Sequence, residues 1–196
     1  MPGLLQSRKV RLALAGHPHT PRHIALRLVR ELYNLELTQF GRISGVAPDL
    51  KRAADELLIS RLASITIGER ISLARRSSER VAGALLLDKE IRVWQAALQN
   101  PRLTEAAIVQ AVLRTAAVPA FVEAVSHHPQ WSLRPEIRMA LLRNAHTPFA
   151  RAIEFARRLQ PSQLRDILHT SRLPEKIKEY LRKTLEAGAR ARGSAH

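Results

Sequence analysis

Apolar residues recur along this chain at spacings of three and four, and each run stops at a short polar corner before the next begins. Ile177, Tyr180, Leu181, Thr184 and Leu185 follow the i, i+3, i+4, i+7, i+8 pattern. Phe149, Ala152, Ile153 and Ala156 follow its first four positions. Such spacing puts side chains on one face of an α-helix. Taken along the chain, it predicts about a dozen short helices, near 8–16, 21–33, 36–43, 48–62, 67–75, 78–87, 89–98, 104–114, 118–127, 135–143, 148–159, 161–169 and 174–188.

The corners echo one another. "LAGHPHTP" (Leu14 to Pro21), "LQNPRLTE" (Leu98 to Glu105) and "LRNAHTPF" (Leu142 to Phe149) share a polar residue, usually proline, and then threonine. Eight residues before the proline position stands an apolar anchor: Val10 before Pro18, Val93 before Pro101, Ile137 before Ala145. Three residues after each anchor is an alanine, Ala13, Ala96 and Ala140, small enough to let a neighbouring helix approach closely. Val93 and Ile137 stand 44 residues apart, within the period of two- and three-helix repeats. Phe121 before Pro129 is a weaker copy, and so are Ile71 with Ala74 and Leu164 with Ile167. Proline forbids continuation of a helix and holds the preceding residue (His17, Asn100, His128) extended. Thr20, Thr104 and Thr147 are therefore expected to N-cap the helices that follow, with Pro21 and Pro148 as first helical residues. The segment 34–66 departs from the pattern, with "GRISGVAP", and reads as a divergent repeat or a hinge. The sequence thus organises as one helical-repeat domain over 1–188 with a flexible tail at 189–196.

Composition narrows this further. Aromatic residues are only 4% of the chain against 45% hydrophobic residues overall, so the core rests on Leu, Ala, Ile and Val, as in closely packed helices. There is no cysteine, which removes disulfides, thiolate metal sites and cysteine nucleophiles. No stretch approaches the roughly 18 apolar residues of a membrane span. "MPGLLQSRKVRLALAG" is interrupted by charge and makes a poor signal peptide. A cytoplasmic protein without a membrane segment is the expectation.

The motifs "VRLALAGHPHTP", "VWQAALQNPRLTE" and "IRMALLRNAHTP" resemble those of HEAT-like and leucine-rich-variant helical repeats. The stretch "GERISLARRSSERVAGALLLDKEIRVWQAALQNPRLTE" is similar to bacterial proteins built from such repeats. The resemblance implies an all-α, right-handed HEAT/armadillo-like array, an α-solenoid. It also implies a binding surface, since families of this type mostly bind proteins and a few basic members bind or repair DNA. The iron–sulfur segment of some leucine-rich variants does not carry over to a chain without cysteine.

Charge supplies the functional lead. The chain has 32 Lys and Arg against 17 Asp and Glu, a formal net charge of +15, and its first acidic residue is Glu31. A field of this sign attracts an acidic protein surface or a nucleic-acid backbone. Arg27 and Arg30 follow His23 at helical spacing, Arg151, Arg157 and Arg158 lie on the helix after the third corner, and Lys178 and Arg182 lie on the polar side of the last. These seven form the candidate basic surface. Glu31, Glu154, Glu175 and Glu179 interleave with them, and the other reading is an ordinary solvated face. A non-enzymatic scaffold holding an acidic protein partner is the expected function. Sequence-independent binding to a nucleic-acid backbone is the alternative, and a HEAT-like DNA-repair glycosylase a remote one. A glycosylase would need a carboxylate such as Asp88, Glu90 or Glu105 beside open aromatic surface from Trp94 or Trp131. No Ser-His-Asp spacing, phosphate-cradling glycine loop or dinucleotide fingerprint is present. No cofactor is expected. His17, His19 and His23 have a spacing three zinc ligands could use, but His17 occupies the slot of Asn100 and Asn144, which favours turn chemistry. His127 and His128 before Pro129 read the same way.

Overall fold

The computed structural model describes residues 7–114 and 117–193. These are all-helical, with no strand among them. The α-helices are α1 (Arg8–Gly16), α2 (Arg22–Arg30), α3 (Asn34–Phe40), α4 (Pro48–Arg61), α5 (Ile67–Arg76), α6 (Glu79–Leu85), α7 (Ile91–Leu98), α8 (Glu105–Leu113), α9 (Pro119–His127), α10 (Pro135–Leu141), α11 (Phe149–Ala156), α12 (Pro161–Thr170) and α13 (Glu175–Gly193). Short 3-10 turns cover Leu62–Ser64 and Trp131–Leu133. Helix α13 runs five residues past the predicted end, into the expected tail, and 194–196 lie outside the described residues.

The chain divides into two units, Met1–Thr104 and Glu105–His196. In the first, α1 packs on α2, α4 on α2, α3 and α6, and α5 on α6 and α7. Its core is small and aliphatic, with Ala15, Val29, Leu37, Ala74, Val81 and Ala97 all buried, and Phe40 and Trp94 as the large members. Arg61 Nη1 ties α4 to the end of α2 by donating to the Leu32 carbonyl at 2.9 Å. The "GRISGVAP" stretch turns into α4 at Gly45, whose φ of +81° a side chain would strain. In the second unit α8, α9 and α11 pack on or beside α10, and α11 and α12 pack on α13. Ile108, Phe121, Val125, Ile137, Leu141 and Phe155 fill that core.

The echoed anchors Val93 and Ile137 are both fully buried, and so are Ala96 and Ala140. Ala13 is exposed, so the register of the first copy is shifted. Helix α1, which packs on α2 and α3, buries Ala15 instead.

Two of the corner threonines, Thr20 and Thr147, differ from expectation, while Thr104 directly precedes α8 as expected. Helices α2 and α11 begin at Arg22 and Phe149, so Pro21 and Pro148 sit at the N-cap and each threonine lies one residue earlier. From there Thr20 Oγ1 donates back to the Leu14 carbonyl (2.7 Å) and Thr147 Oγ1 to the Leu141 carbonyl (2.6 Å). A helix leaves its last carbonyls without intrahelical donors; the threonine closes the helix it follows. Side-chain N-caps do occur at Thr66, which accepts from Glu69 N–H, and at Ser78, which accepts from Val81 N–H.

The residue in the pre-proline slot does the same work in every corner. His17 Nδ1 accepts the His19 N–H (3.3 Å), Asn100 Oδ1 the Arg102 N–H (2.8 Å), and Asn144 Oδ1 the His146 N–H (2.8 Å). His128 Nδ1 accepts from Gln130 and Trp131 N–H, both at 3.3 Å. Asparagine adds a donor that histidine lacks there. Asn100 Nδ2 reaches the carbonyls of Ala74 (2.8 Å) and Ser77 (3.2 Å) at the end of α5, and Asn144 Nδ2 reaches the Val112 carbonyl (2.6 Å) near the end of α8. Each asparagine therefore pins its own corner to the end of an earlier helix.

Candidate functional site

In the second unit α11, α12 and α13 enclose an open groove of about 570 Å³. Its floor comes from Ile153 on α11, Leu164 on α12, and Leu181 and Leu185 on α13, with Tyr180 at one side. The apolar stripe of α13 is only partly used by the fold. Ile177 and Leu181 are buried, Leu185 is half-buried, and Tyr180 is 44% exposed. Tyr180 meets Phe149, itself 49% exposed, edge-on at 5.4 Å between ring centres. Arg157, Arg158 and Arg165 stand along the rim, all three exposed. The volume lies within the range of sites that hold an organic ligand or several partner side chains. The arrangement is an apolar channel with a cationic edge.

The candidate basic residues fall into different roles. Arg157 and Arg158 belong to this rim. Arg151 is an internal brace: its Nε donates to the Ser126 carbonyl (2.7 Å), its guanidinium lies 4.7 Å over the Phe155 ring, and it pairs with Glu154. Glu154 also takes Arg158 at 3.5 Å. Lys178 and Arg182 converge on Glu175, at 3.7 and 2.7 Å, and the Arg182 hydrogen bond holds the Glu175 carboxyl below its ordinary range. Arg27 and Arg30 are exposed on α2, in the other unit.

No family model, curated protein or solved structure matches the chain.

Several of the remaining candidates serve the fold. Asp88 accepts an ion pair from Arg70 at 2.6 Å, and its other oxygen accepts the Glu90 N–H at 2.9 Å, which fixes the turn between α6 and α7. Trp94 and Trp131 are 2% and 5% exposed, so neither offers an open ring face. His17 and His128 serve the corners, and the His127 ring lies 3.0 Å from the Glu123 carbonyl on its own helix. Among the described residues no three His, Cys, Asp or Glu side chains gather as a metal site, and no helix is long and apolar enough to cross a membrane. Sequence reasoning missed Arg165. Its signal is the spacing Leu164, Ile167, Leu168, which marks the inward face of α12 and leaves Arg165 beside it on the solvent edge.

Proposed function

We propose that the chain is a non-enzymatic scaffold, built as a HEAT-like α-solenoid, whose groove between α11, α12 and α13 holds an acidic amphipathic helix of a partner protein. The observation that carries this reading is the pairing of an apolar floor (Ile153, Leu164, Leu185) with an exposed guanidinium rim (Arg157, Arg158, Arg165). An amphipathic helix in a groove presents apolar anchors inward and polar residues at its edges, so the rim selects for Glu and Asp at those edges. Rim charges govern encounter rate and partner choice, while the desolvated floor supplies most of the affinity. The recurring helix corners and the 44-residue echo support the solenoid assignment.

The test is fluorescence anisotropy with a labelled amphipathic helix carrying apolar residues on one face and Glu on its flanks. Binding to the unaltered protein should be saturable and weaken with salt. Replacing Leu185 by Asp should abolish it. The triple reversal R157E/R158E/R165E should slow association by about tenfold or more at low salt, with helix content unchanged. Equal binding by all three proteins would reject the groove.

A further inference from the structure

A second feature lies in the first unit, away from the groove. Arg42, just after α3, Arg75 and Arg76 in the last turn of α5, and Arg102 in the corner after α7 line one pocket of about 200 Å³ together with Asn100 and Pro101. All four arginines are exposed. Among the described residues no carboxylate lines this pocket. Among the described residues seven other arginines (Arg11, Arg22, Arg70, Arg80, Arg151, Arg158 and Arg182) each stand in an ion pair, and none of these four appears in one. Position at a helix C-terminus accounts for Arg75 and Arg76, which meet the negative end of α5. Arg42 and Arg102 reach the same place from two other elements, the ends of α3 and α7.

The backbone under these side chains is fixed. Asn100 locks the Arg102 N–H and the carbonyls of Ala74 and Ser77 into one arrangement, and Arg102 Nη1 donates to the Arg76 carbonyl at 3.4 Å. Guanidiniums on a fixed base form bidentate bonds to oxyanions with little further ordering. A 200 Å³ pocket is smaller than the roughly 300–1,000 Å³ of drug-sized ligand sites and suits a single phosphate group. The second unit repeats the construction at its own asparagine corner, where Arg114, Arg143, Arg172 and His146 surround Asn144 in a pocket of about 320 Å³.

We propose that these asparagine corners are oxyanion sites that take backbone phosphates of a nucleic-acid strand. A lone phosphate gains little from exposed, solvent-screened guanidiniums. A strand offers many phosphates and gains from the counterions its binding releases. Tyr180 and the Phe149 ring against it belong to the other site, and among the described residues no Phe, Tyr or Trp lines either corner pocket. Recognition is therefore of the backbone and not of the bases.

The experiment measures anisotropy of a labelled thymidine oligomer of about 20 nucleotides across a salt series. The pair R75Q/R102Q is compared with R27Q/R30Q, which removes the same charge from exposed positions on α2. The corner pair should lose about tenfold in affinity at about 50 mM salt and flatten the log-affinity against log-salt slope by about 0.7 to 1.4, one or two phosphates of a single strand. The α2 pair should leave the slope unchanged. On the unaltered protein, the guanidinium Nε–H resonances of Arg42, Arg75, Arg76 and Arg102 should shift with added oligomer before those of Arg27 and Arg30. Equal losses in both pairs would mean a diffuse positive field and overturn the site. Absence of strand binding would overturn it too, and so would inorganic phosphate binding at the corner while the oligomer does not. The groove reading stands or falls separately, because its peptide assay depends on none of these residues.

Discussion

Replacing Asn100 with Ala should destabilise the first unit by about 3 kcal/mol. The side chain is 3% exposed and makes three hydrogen bonds, two to the carbonyls of Ala74 and Ser77 and one from the Arg102 N–H. Each such bond contributes about 1 kcal/mol net, and groups left buried without a partner raise the cost. Asn100→Asp should be worse at neutral pH. One carboxylate oxygen still accepts from Arg102, but the other faces two carbonyl oxygens with no proton to offer. Protonation at low pH restores one donor, so the gap between the Asp and Ala variants should narrow on acidification. The chain has two tryptophans, Trp94 in the first unit and Trp131 in the second. A Trp131→Phe background therefore leaves buried Trp94 as the fluorescent reporter of the first unit during urea denaturation. His17→Ala in the same background is the control: it removes one exposed bond and should change stability by no more than about 0.5 kcal/mol. If Asn100→Ala falls within that same range, the corner is not pinned to α5 as described.

Three further expectations follow from the packing and the corners. Thr147→Ala should cost about 1 kcal/mol by freeing the Leu141 carbonyl; urea denaturation followed by Trp131 reads it, and Thr147→Ser should recover most of the loss. Ala140→Phe should cost about 1–3 kcal/mol by overpacking the fully buried face of α10, and wild-type stability in that variant would place the face at the surface. Burial pushes the His128 imidazole below its ordinary value of 6.5, so the unfolded chain takes up a proton before the folded one as pH falls. The stability that neutral His128 supports is complete above that ordinary value and is lost as pH drops below it towards the folded value. His128→Asn keeps an acceptor for Gln130 and Trp131, and should flatten the stability profile in that window when urea midpoints are compared across pH.

The helices were legible because their apolar spacing is regular: each of the thirteen predicted segments overlaps one helix, with ends displaced by up to about five residues. Proline corners were legible for the same local reason. What local pattern could not supply was the partner of each polar side chain. Thr147 next to Pro148 reads as an N-cap, yet a shift of one residue turns its hydroxyl to the preceding helix. Asn100 reads as turn chemistry, yet its amide spans 26 residues to Ala74. The basic positions separate into different surroundings, since charge at helical spacing does not reveal whether a carboxylate sits opposite. Arg151 and Arg182 are engaged by Glu154 and Glu175. The four arginines around Asn100 come together only through contacts between helices separated in sequence.

The most direct test of the scaffold reading is amide chemical-shift mapping of the isotope-labelled protein during titration with the acidic amphipathic helix. Saturable shifts confined to Ile153, Arg157, Leu164, Arg165, Tyr180 and Leu185, with Arg75 and Arg102 unmoved, are the predicted result. Shifts that fail to saturate, or that avoid α11, α12 and α13, would contradict it.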